Sequence, residues 1–136
     1  MADFTSSANR ILLIDDDSGL RTLVLTMLTR IGLQGWTAET GIEGLEMLKT
    51  EDFGLLILDL MLPDMDGFQV LEKLRADNRW DEMPVLILSA RADTEAITRA
   101  LSMGADGYLT KPYITNSLTE RVRALMASGR KKPEAN

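Results

Sequence analysis

Apolar positions along the chain fall into two alternating patterns. Short unbroken runs, "RILLID" (10–15), the stretch leading to Asp59 in "FGLLILD" and "VLILS" (85–89), have the length of strands buried on both faces. Between them the spacing changes to that of helices. Leu20, Leu23, Val24, Met27, Leu28 and Ile31 share one helical face, with Gly32 placed as a C-cap. A short strand follows at 34–38. "TGIE" (40–43) then matches a capping box, Thr40 as N-cap and Glu43 three residues on, and opens a helix to about Thr50. After the strand that ends at Asp59 come a Pro/Asp/Gly loop and a helix over 67–75. Pro84 leads into the fourth strand. A helix over 93–103 ends at Gly104, and "GYLT" (107–110) reads as a fifth strand. Leu118, Val122 and Leu125 mark the face of a last helix, and "ASGRKKPEAN" (127–136) reads as a solvated tail.

Strands alternating with helices at this spacing imply right-handed crossovers and a parallel sheet covered by helices on both faces. In such sheets ligands bind beyond the carboxyl ends of the strands, near the switch in strand order. Polar residues at strand ends are therefore the ones to read for function. Asp59 raises the question most sharply, because a carboxylate inside a buried strand is costly to ionise without a partner.

Composition narrows the chemistry. The chain has 136 residues, 45% hydrophobic and 26% charged, which is one domain with its own core. It has no cysteine and no histidine, so thiolate and imidazole metal sites, His-based triads and phosphohistidine on this chain are excluded. A net charge of −6 argues against direct nucleic-acid binding by this domain. No apolar run has the length of a membrane span, and "MADFTSSANR" lacks a signal peptide's apolar core, so the expected location is cytoplasmic.

The first strand ends in Asp15, Asp16 and Asp17, the third in Asp59 and the fourth in Ser89, while the fifth runs into Lys111. Two like charges 4 Å apart repel by about 1 kcal/mol in water and about 4 kcal/mol at an effective dielectric of 20. Lys111 offsets part of that, and a divalent cation would offset more. An all-oxygen site without His or Cys suits Mg²⁺. Each residue alone has a plainer explanation: Asp17 and Ser18 as helix caps, Ser89 as a strand-end hydroxyl, Lys111 as a surface lysine, "LPDMDG" as a turn. Their joint placement at successive strand ends does not. "LPDMDG" also resembles part of a calcium loop, but Leu62 and Lys73 occupy its first and closing ligand positions. The first strand–helix turn has no Gly-rich phosphate fingerprint.

"LLIDDD" (12–17), "LLILDLMLPDMDG" (55–67), "VLILSA" (85–90) and "GADGYLTKPY" (104–113) together resemble the receiver domain of two-component response regulators, the family typified by the chemotaxis regulator CheY. The resemblance covers residues 9–127, leaving 1–8 as an extension and 128–136 as a polar tail or the start of a linker. It implies a flavodoxin-like doubly wound α/β sandwich, with five parallel strands in the order 2-1-3-4-5. It also implies that Asp59 accepts a phosphoryl group from a histidine kinase or histidine phosphotransfer protein, with self-catalysed transfer and autodephosphorylation rather than turnover as an enzyme. Asp15, Asp16, Asp59 and the Met61 carbonyl match the Mg²⁺ ligands, with Mn²⁺ able to substitute. Ser89 and Lys111 match the groups that hold the phosphoryl oxygens, and Ala90 the small residue that gives the donor access. Tyr108 matches the aromatic switch partner of Ser89. Met61 and Arg91 occupy positions that tune phosphate lifetime, and Arg91 is expected to screen the phosphoryl group from water.

The resemblance further implies a cis bond at Lys111–Pro112 and an output face formed by helix four, strand five and helix five. That face would meet a partner protein or an effector domain. Ile114 stands where relatives carry a capping Ser or Thr, which moves the expected start of the last helix to near Thr115. Gly107 and Ser117 replace acids of the charge ladder through which some relatives dimerise, leaving Arg121 without them. A haloacid-dehalogenase-like phosphatase would use a similar Asp, Ser and Lys set, but needs an acid where Met61 stands. A pseudo-receiver, the third reading, is disfavoured by the intact set of acids, Ser89 and Lys111.

Overall fold

The computed structural model describes residues 7–111 and 116–130. Five strands, β1 (Arg10–Ile14), β2 (Gln34–Ala38), β3 (Leu55–Leu58), β4 (Val85–Ser89) and β5 (Gly107–Thr110), form one parallel sheet in the order β2-β1-β3-β4-β5. The helices are α1 (Ser18–Arg30), α2 (Gly41–Thr50), α3 (Gly67–Arg75), α4 (Thr94–Ser102) and α5 (Asn116–Ser128). This is the doubly wound α/β sandwich expected from the sequence. The expected cis bond at Lys111–Pro112 and the expected helix start at Thr115 lie outside the described residues.

Strand period two divides the apolar runs between two cores. Leu12, Ile14, Leu56, Leu58, Val85 and Ile87 face α2, α3 and α4, where Leu48, Phe68, Leu71, Leu74 and Ala100 meet them. Ile11, Leu13, Leu55, Ile57, Leu86 and Leu88 face α1 and α5, against Leu20, Val24, Leu28, Leu118 and Val122. Every residue of β3 is fully buried, and each such leucine or isoleucine contributes roughly 1.5–3 kcal/mol over an exposed position. Burial on both faces is what makes these strands continuous apolar runs. The edge strand β2 instead alternates exposed and covered positions.

Capping fixes where the helices start. Asp17 accepts from the Leu20 N–H and Asp93 from the Ala96 N–H. The sequence assigns a reciprocal capping box to Thr40 and Glu43; Thr40 does accept from the Glu43 N–H, but no return bond is made among the described residues. The two-way box is formed at Asp66 and Gln69, opening α3.

Of the expected tail 127–136, residues 131–136 lie outside the described residues; helix α5 continues to Ser128, and Arg130 turns back onto the amino-terminal end of the sheet. There its Nε donates to Asp106 Oδ1 at 3.0 Å and its Nη1 to the Asp81 carbonyl at 2.9 Å. The other Asp106 oxygen accepts from Arg75 at 3.1 Å and from the Val85 N–H at 2.9 Å. A buried carboxylate between two guanidiniums thus ties α5 to α3 and to the start of β4.

Candidate functional site

The parallel register sets Ile14 beside Leu58 on β1 and β3, so the residues that follow them, Asp15 and Asp59, emerge together at the carboxyl end of the sheet. Their backbones stay in the ladder: the Asp59 N–H donates to the Ile14 carbonyl and the Asp15 N–H to the Ala38 carbonyl, both at 3.0 Å. Asp15 is fully buried and Asp59 is 3% exposed, whereas Asp16 is open to solvent. Lys111, just past β5, reaches across the sheet end. Its Nζ donates to Asp59 Oδ2 at 2.9 Å and stands 2.8 Å from Asp15 Oδ2.

The remaining carboxylate oxygens are held by the backbone. Asp15 Oδ1 accepts from the Asp17 N–H at 2.9 Å, and Asp59 Oδ1 from the Met61 N–H at 3.0 Å. Asp15 Oδ2 is at ion-pair distance from Lys111 but has no hydrogen-bond partner among the described residues, although it is buried. Burial raises the Asp15 pKa above its ordinary value; Lys111 and the Asp17 N–H oppose this, and the neighbouring Asp59 charge adds to it. Burial alone would lower the Lys111 pKa, but its contacts with Asp15 and Asp59 outweigh that and hold it above the ordinary value. The site is short of positive charge.

Asp15, Asp16 and Asp59 each offer an oxygen within 4.8 Å of the others, so together they can hold a metal ion. Hard carboxylate donors of this kind, two of them buried and sharing Lys111 as counter-charge, fit a small divalent cation such as Mg²⁺.

Two glycines allow close approach along the loop that follows Asp59. A Cβ on Gly67 would stand 2.5 Å from the Asp59 carbonyl oxygen, and one on Gly41 would stand 2.5 Å from Met65. The loop between β3 and α3 is closed at its base by Gly67 N–H donating to the Leu60 carbonyl at 2.9 Å, with Met61 and Asp66 in antiparallel pairing.

On the far side, Ser89 is fully buried and its Oγ accepts from the Arg91 N–H at 3.3 Å. The Tyr108 hydroxyl donates to the Arg91 carbonyl at 2.7 Å. Burial raises the Tyr108 pKa, with the Ser89 hydroxyl and the Arg91 charge opposing it. Ser89 and Tyr108 are thus joined through the Arg91 backbone. The Arg91 side chain is turned to Asp93, donating at 3.2 and 3.0 Å, and stands 5.9 Å from the centre of the Phe68 ring. Ala90 is exposed, and Met61 is 57% exposed.

Asp15, Asp16, Asp59 and Lys111 are therefore drawn into one cluster, while Ser89 and Tyr108 form a second linked pair. Arg91, in this arrangement, is engaged by Asp93. Sequence reading missed two residues here. Arg21 donates to the Asp15 carbonyl at 2.9 Å, bracing the end of β1. Asp64, read there as a turn residue, accepts from the Gly41 and Ile42 N–H groups at 2.8 Å each. No local sequence pattern links Asp64 to that helix, whose first N–H groups need acceptors.

A family model described as "Response regulator receiver domain" matches residues 11–123. The chain is 38% identical over 122 residues to Transcriptional regulatory protein AfsQ1 of Streptomyces coelicolor, covering 90% of this chain and 53% of that protein. It is 39% identical over 117 residues to Cell cycle response regulator CtrA of Brucella ovis, covering 86% and 50%. The chain thus spans about half the length of these curated relatives. Among solved structures it resembles a CheY-like response regulator receiver domain protein from Methanospirillum hungatei, with a TM-score of 0.81 and 32% identity over 88% of this chain and 94% of that one. The receiver domain of the Francisella response regulator 1452 is similar at 0.81 and 33%, over 88% and 97%.

Proposed function

Since the chain belongs to the response regulator receiver domain family, we propose that Asp59 accepts a phosphoryl group from a phosphorylated histidine of a kinase or phosphotransfer protein. The observation that carries this reading is the Asp59 carboxylate itself: buried, at the open end of β3, hydrogen-bonded to Lys111 at 2.9 Å and grouped with Asp15 and Asp16. In the transfer, an Asp59 oxygen forms the new P–O bond as the P–N bond to the donor breaks, and the electron pair leaves with the imidazole. Phosphoryl transfer of this kind depends on positioning and charge neutralisation.

Mg²⁺, held by Asp15, Asp16, Asp59 and the Met61 carbonyl, would neutralise charge on the phosphoryl oxygens. Lys111 holds the Asp59 oxygen now and pairs with a phosphoryl oxygen afterwards. Ala90 leaves the donor room to approach. Ser89 turns its hydroxyl to the phosphoryl group, giving up the Arg91 N–H, and Tyr108 follows through the Arg91 carbonyl. Arg91 and Met61 set how readily water reaches the phosphate, and Arg91 must leave Asp93 to do so. Autodephosphorylation by water then resets the domain. The output is read from the face formed by α4, β5 and α5, by a partner protein or an effector domain, in the cytoplasm. Among the described residues no helix is long and apolar enough to cross a membrane.

Intact-mass analysis after incubation with acetyl phosphate tests this. One added phosphoryl group is expected in the presence of Mg²⁺, none without it and none in Asp59→Asn. Absence of an adduct with both acetyl phosphate and a phosphorylated histidine donor would reject the reading.

A further inference from the structure

The β3–α3 loop carries Met61, and at its tip the Asp64 side chain bonds to α2. Asp64 spans to α2, placing Oδ1 2.8 Å from the Gly41 N–H and Oδ2 2.8 Å from the Ile42 N–H. Those are the first two N–H groups of α2, left without intrahelical acceptors by helix geometry. Thr40 takes the third, from Glu43, at 3.0 Å. A carboxylate at a helix amino end is also favoured by the helix dipole. The two backbone bonds hold the Asp64 pKa below the ordinary carboxylate value, so the anchor is charged at neutral pH. A second contact reinforces it: Met65 packs so closely on Gly41 that no Cβ fits between them.

We infer that Asp64 is a positioning residue for the Asp59 site, pinning the loop to α2 so that the Met61 backbone is fixed beside the acidic cluster. The inference rests on the proposed receiver reading. The base of the loop is secured by the Gly67–Leu60 bond, and Asp59 Oδ1 holds the Met61 N–H. Between Met61 and Asp66, the Asp64 bonds and the packing of Leu62 and Met65 join the tip to the rest of the fold, and Asp64 makes the polar part of that tie. Releasing Asp64 frees the peptide that carries the Met61 carbonyl, while leaving Asp15, Asp16, Asp59 and Lys111 in place. The metal then binds a looser set of ligands. The chemistry at Asp59 is otherwise intact.

The test is calorimetric titration with Mg²⁺ of the wild type, Asp64→Ala and Thr40→Ala, with thermal melts of the metal-free proteins. Both substitutions remove an N-terminal acceptor from α2, so both lower stability, but only Asp64 touches the loop. Mg²⁺ affinity is expected to fall about tenfold in Asp64→Ala, the range for groups that orient a ligand, and to stay within about twofold in Thr40→Ala. The rate of adduct formation with acetyl phosphate should drop at low Mg²⁺ and recover at saturating Mg²⁺. Wild-type affinity in Asp64→Ala, or an equal loss in both variants, overturns the inference while leaving the receiver reading standing. A wild type that binds no Mg²⁺ overturns both. Should Asp64→Ala fail to fold, Asp64→Asn keeps one acceptor and half the clamp. An affinity loss there supports the inference, and wild-type affinity overturns it.

Discussion

Burial gives Asp15 an environment that disfavours its charge, and the Asp59 carboxylate beside it makes ionisation harder still. A carboxyl whose folded pKa is raised binds more protons folded than unfolded, so its contribution to stability falls as pH rises from 3.8 through the folded value. Replacing it with an amide removes that fall. Metal-free Asp15→Asn should therefore be more stable than wild type at pH 7, by about 1 kcal/mol, with the difference closing below pH 4. Adding Mg²⁺ should reverse the order, since a ligand at 100 times its Kd stabilises by about 2.7 kcal/mol and the variant has lost a ligand. Denaturant midpoints with and without Mg²⁺ measure both effects.

Lys111 has a linkage of the same sign, but its charged form stabilises the fold. Its pKa is raised by the two carboxylates, so its stabilisation is complete below 10.5 and disappears as pH climbs through the folded value. The stability gap between wild type and Lys111→Met should accordingly be full at pH 8 and lost in strong alkali. These residues were legible because strand ends in a parallel sheet must converge. Asp64 was not, since its acceptor role depends on a helix 22 and 23 positions earlier that no local pattern connects to it.

Elements were legible where period and capping agreed. The buried strands could be read because two apolar faces leave no polar alternation, whereas the N-caps of α3 and α4, Asp66 and Asp93, went unread. The capping box assigned to Thr40 failed in its second half because the motif is local while the helix end is satisfied by a distant acid, Asp64. The end of α5 was misread for a similar reason: a polar, glycine-containing stretch looks like a tail unless its charges have buried partners. Arg130 has one in Asp106, with only 13% and 7% of the two side chains exposed. Arg130→Ala should cost about 1.5–3 kcal/mol, as expected for loss of a charge-assisted bond. Asp106→Ala should cost about 3–5 kcal/mol because two buried guanidiniums lose their counterion. Equal, small losses in urea unfolding would show that the network is not a tie. At the opposite end of the sheet, Gly67→Ala is expected to weaken Mg²⁺ binding as well as stability, because the new methyl group meets the Asp59 carbonyl and must displace it.

Across the whole molecule, the sheet separates a tied amino-terminal end, where Asp106 joins α3, β4 and α5, from a carboxyl-terminal end with buried groups that can be repartnered. That asymmetry sets the last prediction. Ser89 is bonded to the Arg91 N–H at a long 3.3 Å, so the proposed turn of its hydroxyl to a phosphoryl oxygen would forfeit little. A hydrogen bond to a charged group contributes about 1.5–3 kcal/mol. Moving a two-state equilibrium from 1:99 to 99:1 takes about 5.5 kcal/mol of differential interaction. One such bond would thus be a quarter to a half of a complete switch, and in the proposed mechanism the Lys111 pair would supply much of the rest. Ser89→Ala should still take up one phosphoryl group on Asp59 but shift only partly. Amide exchange of α4 and β5, measured with excess acetyl phosphate and Mg²⁺, should change in the wild type and change less in Ser89→Ala. Tyr108→Phe loses the hydroxyl bonded to the Arg91 carbonyl and should alter β5 exchange before phosphorylation as well as after. An unchanged response in Ser89→Ala would place the coupling in Lys111 and would remove Ser89 from the switch.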